Sequence, residues 1–191
     1  MKRKRPIFYS IVKFIVGIII KSYRPRFVGK ENVPADGSLI FCSNHIHAFD
    51  PGLVMFSTKR TVHFLAKKEL FKFPLKTLMK WMGVIPVDRS KRDTNATDAA
   101  HDYLAEGKSL CIFPEGTRNR SDDILLPFKY GAVSLAQKTN SMIVPIAVLG
   151  EYKLFRKRLV VKIGKPIHVT NMEIAEANDY LRDTIKNMLE E

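Results

Sequence analysis

The chain has 191 residues, and its 32 Lys and Arg outnumber 19 Asp and Glu, for a formal net charge of +13 and a pI of about 9.8. A hydrophobic share of 46% is ample for a core, which excludes a wholly disordered chain, and two Cys are too few for a disulfide scaffold. Charge of this sign suits nucleic acid, an anionic membrane or a phosphorylated substrate, and its position along the chain narrows the choice.

Residues 1–30 hold nine Lys and Arg and no acid. A basic start is followed by an apolar run of 14 residues at 7–20, broken by Lys13, and then by more basic residues. The run is shorter than the roughly 20 apolar residues of a spanning helix. The flanks resemble those of a signal peptide, but no small-residue cleavage site follows. Two readings are open: a buried core helix or, preferred, a helix in the membrane interface. In the second, Phe8, Ile11, Ile15, Ile18 and Ile19 face lipid and the basic flanks meet headgroups. Each Lys or Arg near an anionic surface adds about 1 kcal/mol. The expectation is an anchoring segment at 1–27 and a single α/β domain at 28–191. The molecule would then sit on the cytoplasmic face of the cell membrane, peripheral or monotopic.

Buried strands are expected at 38–42 and 62–66 from short apolar runs. The next stretch belongs to a second basic block, 59–92, with ten Lys and Arg against two acids. Lys68, Lys72, Lys76 and Lys80 recur every four residues, and Leu75, Leu78, Met79 and Met82 follow a helical period beside them. Pro74 is expected to start a helix. The segment reads either as a basic amphipathic membrane surface or as a solvated face over a core stripe. A strand is expected at 84–87, then a helix at 94–106 stopped by Gly107. Further strands at 109–113, 143–149 and 159–163 enclose a helix at 128–138 that ends near Asn140. Thr170-x-x-Glu173 reads as a capping box. It opens a last helix with Ile174, Ala177, Leu181, Ile185 and Met188 on one face. Strands alternating with helices predict a layered α/β/α domain with a mostly parallel or mixed central sheet. In such sheets, sites form beyond the carboxyl ends of strands.

Three strand runs end in reactive-looking residues. The first ends in Asn44-His45-x-His47-x-x-Asp50-Pro51. Asp50-Pro51 reads as a helix cap followed by Pro at the first helical position. The carboxylate can fold back to the imidazole, fixing its tautomer and leaving the other nitrogen as a base. A plain cap beside a surface His gives the same spacing. The second ends in Val84-Ile-Pro86-Val-Asp88-Arg89. The third ends in Phe113-Pro-Glu115-Gly116-Thr117-Arg118-Asn-Arg120. There Gly116 permits a tight turn and close ligand approach, and the Arg118 guanidinium can grip a phosphate with two hydrogen bonds. Arg89 and Arg120 can add to an anion site, or each can be an ordinary solvent-exposed arginine.

Four blocks occur in order: Asn44-His45-x4-Asp50, Gly83-Val-Ile-Pro-Val-Asp-Arg89, Phe113-Pro-Glu115-Gly116-Thr117-Arg118 and Ile143-Val-Pro145-Ile. Together they resemble the four-block pattern of the lysophosphatidic acid acyltransferases, or 1-acyl-sn-glycerol-3-phosphate acyltransferases. The blocks span 44–146. The resemblance departs at Pro86, where many relatives carry an aromatic or aliphatic residue, and in a reduced N-terminal region. It implies the glycerolipid acyltransferase fold and transfer of an acyl group to a lysophospholipid acceptor. The donor would be acyl-CoA or acyl carrier protein, with no cofactor and no metal. An acceptor such as glycerol 3-phosphate or another lysophospholipid is the alternative. In this reading His45 is the general base, Asp50 orients it, and Arg118 holds the glycerol phosphate with Glu115, Gly116, Thr117 and Arg89. Asn44, Lys129 and Pro145 are supporting residues; Lys129 can equally be a solvent-exposed lysine. No acyl-enzyme is needed, so Cys42 and Cys111 read as apolar strand residues.

Two rival classes are weaker. A metallohydrolase could start a ligand set from His45, His47 and Asp50, but His63, His101 and His168 sit apart, and catalytic zinc wants about three protein ligands. A nucleic-acid module would want stacking aromatics or a groove-reading helix. Here the basic residues are interleaved with aliphatics, so no nucleic acid partner is expected.

Overall fold

The computed structural model describes residues 7–72, 75–88, 93–156 and 158–191. Seven strands form one sheet in the order β1-β7-β6-β2-β5-β3-β4. They are β1 (Arg26–Val28), β2 (Leu39–Ser43), β3 (Val62–Lys67), β4 (Ile85–Val87), β5 (Ser109–Ile112), β6 (Met142–Gly150) and β7 (Leu159–Ile163). The helices are α1 (Ile7–Ser22), α2 (Asp50–Ser57), α3 (Leu75–Trp81), α4 (Thr94–Ala105), α5 (Gly131–Thr139) and α6 (Ile174–Glu190). Every strand pair is parallel except β6 with β7. The expected mostly parallel or mixed sheet is therefore present. The six expected strands form within a residue or two of their expected ends, and the short edge strand β1 is an addition.

Alternation along the strands divides the core into two layers. Ile40, Cys42, Leu110 and Ile143 face one side, where they meet α4, α5 and α6 through Ala100, Leu104, Val133, Ala136, Leu181 and Ile185. Leu39, Phe41, Cys111, Val144 and Ile146 face the other, where they meet α1 and α2 through Tyr9, Ile20, Leu53 and Met55. β2 is buried at all five residues because both its faces are covered.

Helix α1 carries two opposed faces. Tyr9, Val12 and Ile20 are buried in the core, and the Tyr9 hydroxyl accepts the Val62 N–H at 3.0 Å. Phe8, Ile11, Ile15, Ile18 and Ile19 are exposed, as are Ile7 and Phe14. Lys13, the break in the apolar run, bonds the carbonyls of Met55 and, at 3.0 Å, of Thr58. It thus neutralises the carboxyl end of α2, where unsatisfied carbonyls carry partial negative charge. The two helices approach closely at Gly52, where an added Cβ would lie 2.9 Å from Ile20 Cδ1. Among the described residues no helix is long and apolar enough to cross a membrane.

The helix expected to open at Pro74 is α3, which begins at Leu75; Pro74 itself lies outside the described residues. Lys68–Leu70 before it is a 3-10 turn, and Lys68 pairs with Asp88 at 2.6 Å. Two local expectations are corrected. Thr170-x-x-Glu173 is not a capping box. Helix α6 starts at Ile174 with Glu173 at the cap position and no side-chain bond there, and the Thr170 hydroxyl turns to Asn140 Oδ1 at 3.1 Å. Asp50 is not the cap of α2 but its first residue; Phe49 holds the cap position without a side-chain bond. The Asp50 carboxylate is taken by the loop before it. Pro86 is exposed on the edge strand β4, where the missing N–H costs nothing to the sheet.

Candidate active site

Strands β6, β2 and β5 are adjacent and parallel, so their carboxyl ends lie side by side. From them come Tyr152, the loop 44–49 and the turn 113–119. Asn44 continues the ladder with its side chain. Its amide donates to the Val148 carbonyl at 3.0 Å and accepts the Val148 N–H at 2.8 Å. The chain leaving β2 is therefore fixed before it reaches His45.

His45 Nδ1 lies 2.8 Å from Asp50 Oδ2. The same oxygen accepts the N–H groups of Ile46 and His47, each at 2.7 Å. The Tyr152 hydroxyl donates to the other oxygen, Oδ1. Asp50 is fully buried. A buried carboxylate needs such partners, since desolvation costs several kcal/mol per unpaired ion. A carboxylate that only accepts assigns the imidazole proton to Nδ1 and leaves Nε2 as the lone-pair nitrogen. The imidazole is 18% exposed and stacks on Phe113 at 4.2 Å between centroids.

The turn after β5 grips the His45 backbone from both sides. Glu115 Oε1 accepts the His45 N–H at 2.7 Å, and the His45 carbonyl accepts the Asn119 N–H at 2.7 Å. Glu115 Oε2 accepts the Leu126 N–H at 2.9 Å, tying the 124–128 loop to the same point. Burial raises the Glu115 pKa; the two N–H bonds and the nearby His45 oppose the rise, and the Asp50 charge adds to it. Glu115 is thus a buried brace with both oxygens occupied. Gly116 sits at φ 72, and an added Cβ would lie 2.8 Å from the Lys129 ammonium. Lys129 therefore lies directly over this turn. Thr117, Arg118 and Arg120 are exposed beyond it.

Pro145 is further off: it lies in β6 opposite Cys42, one residue before the ladder to β7 begins, and its carbonyl accepts the Gly164 N–H at 2.9 Å. It shapes the sheet below the site. Arg89 lies outside the described residues. Its neighbour Asp88 follows β4, three strands from β2. Cys42 and Cys111 are buried, and burial pushes both thiols up, away from thiolate. Among the described residues no three His, Cys, Asp or Glu side chains are grouped to hold a metal. Tyr152 and Phe113 were missed as site residues. Phe113 could have been read from its place beside Glu115; Tyr152, 102 residues from Asp50, carried no signal but its position just past a strand end.

The acyltransferase family pattern matches residues 24–149. The chain is 30% identical to the 1-acyl-sn-glycerol-3-phosphate acyltransferase of Borreliella burgdorferi, over 84% of this chain and 66% of that one. It is 32% identical to the Bacillus subtilis protein of that name, over 75% and 73%. It is 34% identical to the Saccharomyces cerevisiae one, over 96% and 64%. The aligned part thus spans 64% to 73% of the length of these relatives. Among solved structures, the 1-acyl-sn-glycerophosphate (LPA) acyltransferase PlsC from Thermotoga maritima covers 96% of this chain and 86% of its own, with a TM-score of 0.77 at 23% identity, a likeness of fold. With the four sequence blocks and the paired His45 and Asp50, these matches make the chain a member of the acyltransferase family, whose relatives here are the 1-acyl-sn-glycerol-3-phosphate acyltransferases.

Proposed function

We propose that the chain transfers a fatty acyl group from an acyl thioester to the sn-2 hydroxyl of 1-acylglycerol 3-phosphate, giving phosphatidic acid for phospholipid synthesis. The observation that carries this is the His45–Asp50 pair at the carboxyl ends of β2 and β5. His45 Nε2 takes the hydroxyl proton as the oxygen attacks the thioester carbonyl carbon. The tetrahedral intermediate collapses, the C–S bond breaks, and the leaving thiolate recovers the proton from His45. Asp50 holds the tautomer and offsets the imidazolium charge. Such a base supplies about 10²–10⁴-fold, so positioning of the acceptor must contribute much of the rest.

Arg118, with Thr117 and Lys129 around the Gly116 turn, is the phosphate grip in this reading, and Arg89 is its expected addition. Glu115 acts by holding the His45 backbone rather than by touching phosphate, since a carboxylate repels a phosphate. The donor is acyl-CoA or acyl carrier protein, used as co-substrate. The exposed apolar face of α1, beside its basic flanks, supports attachment to an anionic bilayer on the cytoplasmic face.

The test is an acyl-transfer assay on purified protein with lysophosphatidic acid and an acyl thioester, reading phosphatidic acid. His45→Ala is expected to lower the rate by at least about 10²-fold with the fold retained by circular dichroism. Equal rates for the two proteins would remove His45 from the reaction. Glycerol 3-phosphate and other lysophospholipids as acceptors in the same assay identify the preferred one.

A further inference from the structure

We propose that Tyr152 is a positioning residue of the catalytic centre: its hydroxyl holds the second oxygen of Asp50 and so keeps Asp50 aligned on His45. This rests on the reading of His45 as the base.

Asp50 divides its donors unevenly. Oδ2 takes His45 Nδ1 and two backbone N–H groups, whereas Oδ1 takes the Tyr152 hydroxyl. The backbone donors come with the loop in any sequence. Among the described residues, the hydroxyl is the one donor on this carboxylate, besides His45 itself, that a single side chain supplies.

The hydroxyl is held in place independently of Asp50. The Tyr152 ring stacks on His47, with centroids 4.1 Å apart and planes at 25°. It meets Tyr23, just beyond α1, edge-on at 5.3 Å. Its loop is braced by Glu151, which pairs with Lys153 at 2.7 Å and Arg158 at 3.3 Å. The Phe155 N–H donates to the Ser22 carbonyl at 2.6 Å, fastening the loop to the end of α1. Such a donor is fixed before reaction and costs no reorganisation. Burial and the adjacent Asp50 charge raise the Tyr152 pKa well above that of a free phenol, so it remains a donor throughout the working pH range.

The consequence is geometric. With Oδ1 held by the hydroxyl, Oδ2 stays on His45 Nδ1 and on the two backbone N–H groups. Without the hydroxyl a buried carboxylate oxygen loses this donor, and the carboxylate turns to share its remaining donors between both oxygens, which misaligns the imidazole. The other titratable groups around the pair are Glu115 on the β5 turn, His47 on the same loop, Tyr23 behind Tyr152, and the buried thiol of Cys111. Arg118 lies on the turn that grips His45. Substitution at position 152 leaves all of these residues in place.

The full chain is assayed with lysophosphatidic acid and an acyl-CoA, varying each substrate in turn. Tyr152→Phe keeps both ring contacts and removes the hydroxyl. It is expected to lower kcat about tenfold, the scale of one hydrogen bond to a charged group, with both KM values unchanged. Incorporating 3-fluorotyrosine at 152, a stronger donor of nearly the same shape, should change kcat with both KM values again unchanged, and it carries the test if Tyr152→Phe fails to fold. Wild-type kcat in Tyr152→Phe, a kcat that neither substitution changes, or KM values that change along with kcat overturn the proposal. If wild type is active, His45→Ala is dead and Tyr152→Phe is normal, only this inference falls. A wild type inert on every acceptor, or an active His45→Ala, overturns the underlying reading and this inference with it.

Discussion

At the scale of single residues, the site is a set of backbone clamps around one imidazole. His45 gives its N–H to Glu115 and its carbonyl to Asn119, so the turn bearing Arg118 cannot shift without moving the base. In the proposed reading the two ends of the acceptor, hydroxyl and phosphate, are thereby held at a fixed spacing. Arg118→Ala is expected to raise the KM for the phosphorylated acceptor at least about tenfold, since a charge-assisted bond is worth roughly 1.5–3 kcal/mol. The KM for the acyl thioester should stay as it is; steady-state kinetics varying each substrate in turn checks this, and equal changes would count against the grip. His45, Asp50 and Arg118 were legible in the sequence because the blocks that hold them are short and local. The clamping role of Glu115 was not, because it depends on a bond between residues 70 apart. Tyr152 was hidden for the same reason.

At the scale of elements, charge does structural work that its position in the sequence disguised. Lys13 looks like a blemish in a lipid-facing run but closes the carboxyl end of α2. Lys13→Met is expected to lower stability by about 1 kcal/mol, read as a shifted urea midpoint with the same slope. Arg60, in the second basic block, donates to the carbonyls of Pro34, Asp36, Gly37 and Gly107, joining the loops before β2 and β5. His63 on β3 gives an element-level pH effect. Its Nδ1 donates to the Gly83 carbonyl at 3.2 Å, and its ring meets Tyr103 on α4 edge-on. Burial lowers its pKa from 6.5, Lys108 adds to this, and the Gly83 bond and Glu106 oppose it. The unfolded chain then binds a proton near pH 6.5 that the folded one refuses until lower pH. Stability from this group is present above pH 6.5 and is lost as pH falls toward the lowered value. Denaturation midpoints from about pH 7 to about pH 5 should fall for wild type and fall less for His63→Gln. The six expected strands are legible because each is a short apolar run; the start of α6 is not, because a capping-box pattern does not say where the chain first turns.

At the scale of the whole molecule, the net charge of +13 serves several purposes: closing helix ends, joining loops and, in the proposed reading, gripping phosphate and meeting an anionic bilayer. Deleting α1 would be a poor test of the last, because Tyr9, Val12 and Ile20 belong to the core. Phe14→Ser with Ile18→Ser changes only the outer face, where the two residues are 71% and 61% exposed. Co-sedimentation with phosphatidylglycerol vesicles should weaken in this variant while its thermal midpoint holds. Wild-type binding should also fall with added salt, since screening acts over about 10 Å at 0.1 M. Unchanged partitioning would remove α1 from the contact. The sequence by itself determined the strands, the two-sided burial of the sheet and the four family blocks, because apolar alternation and short motifs are local properties. Only the tertiary structure decided that β6, β2 and β5 end side by side and that Glu115 and Tyr152 close on the His45–Asp50 pair. It also decided that one face of α1 belongs to the core. These are contacts across long stretches of chain, and strand order, which no local pattern encodes, sets them.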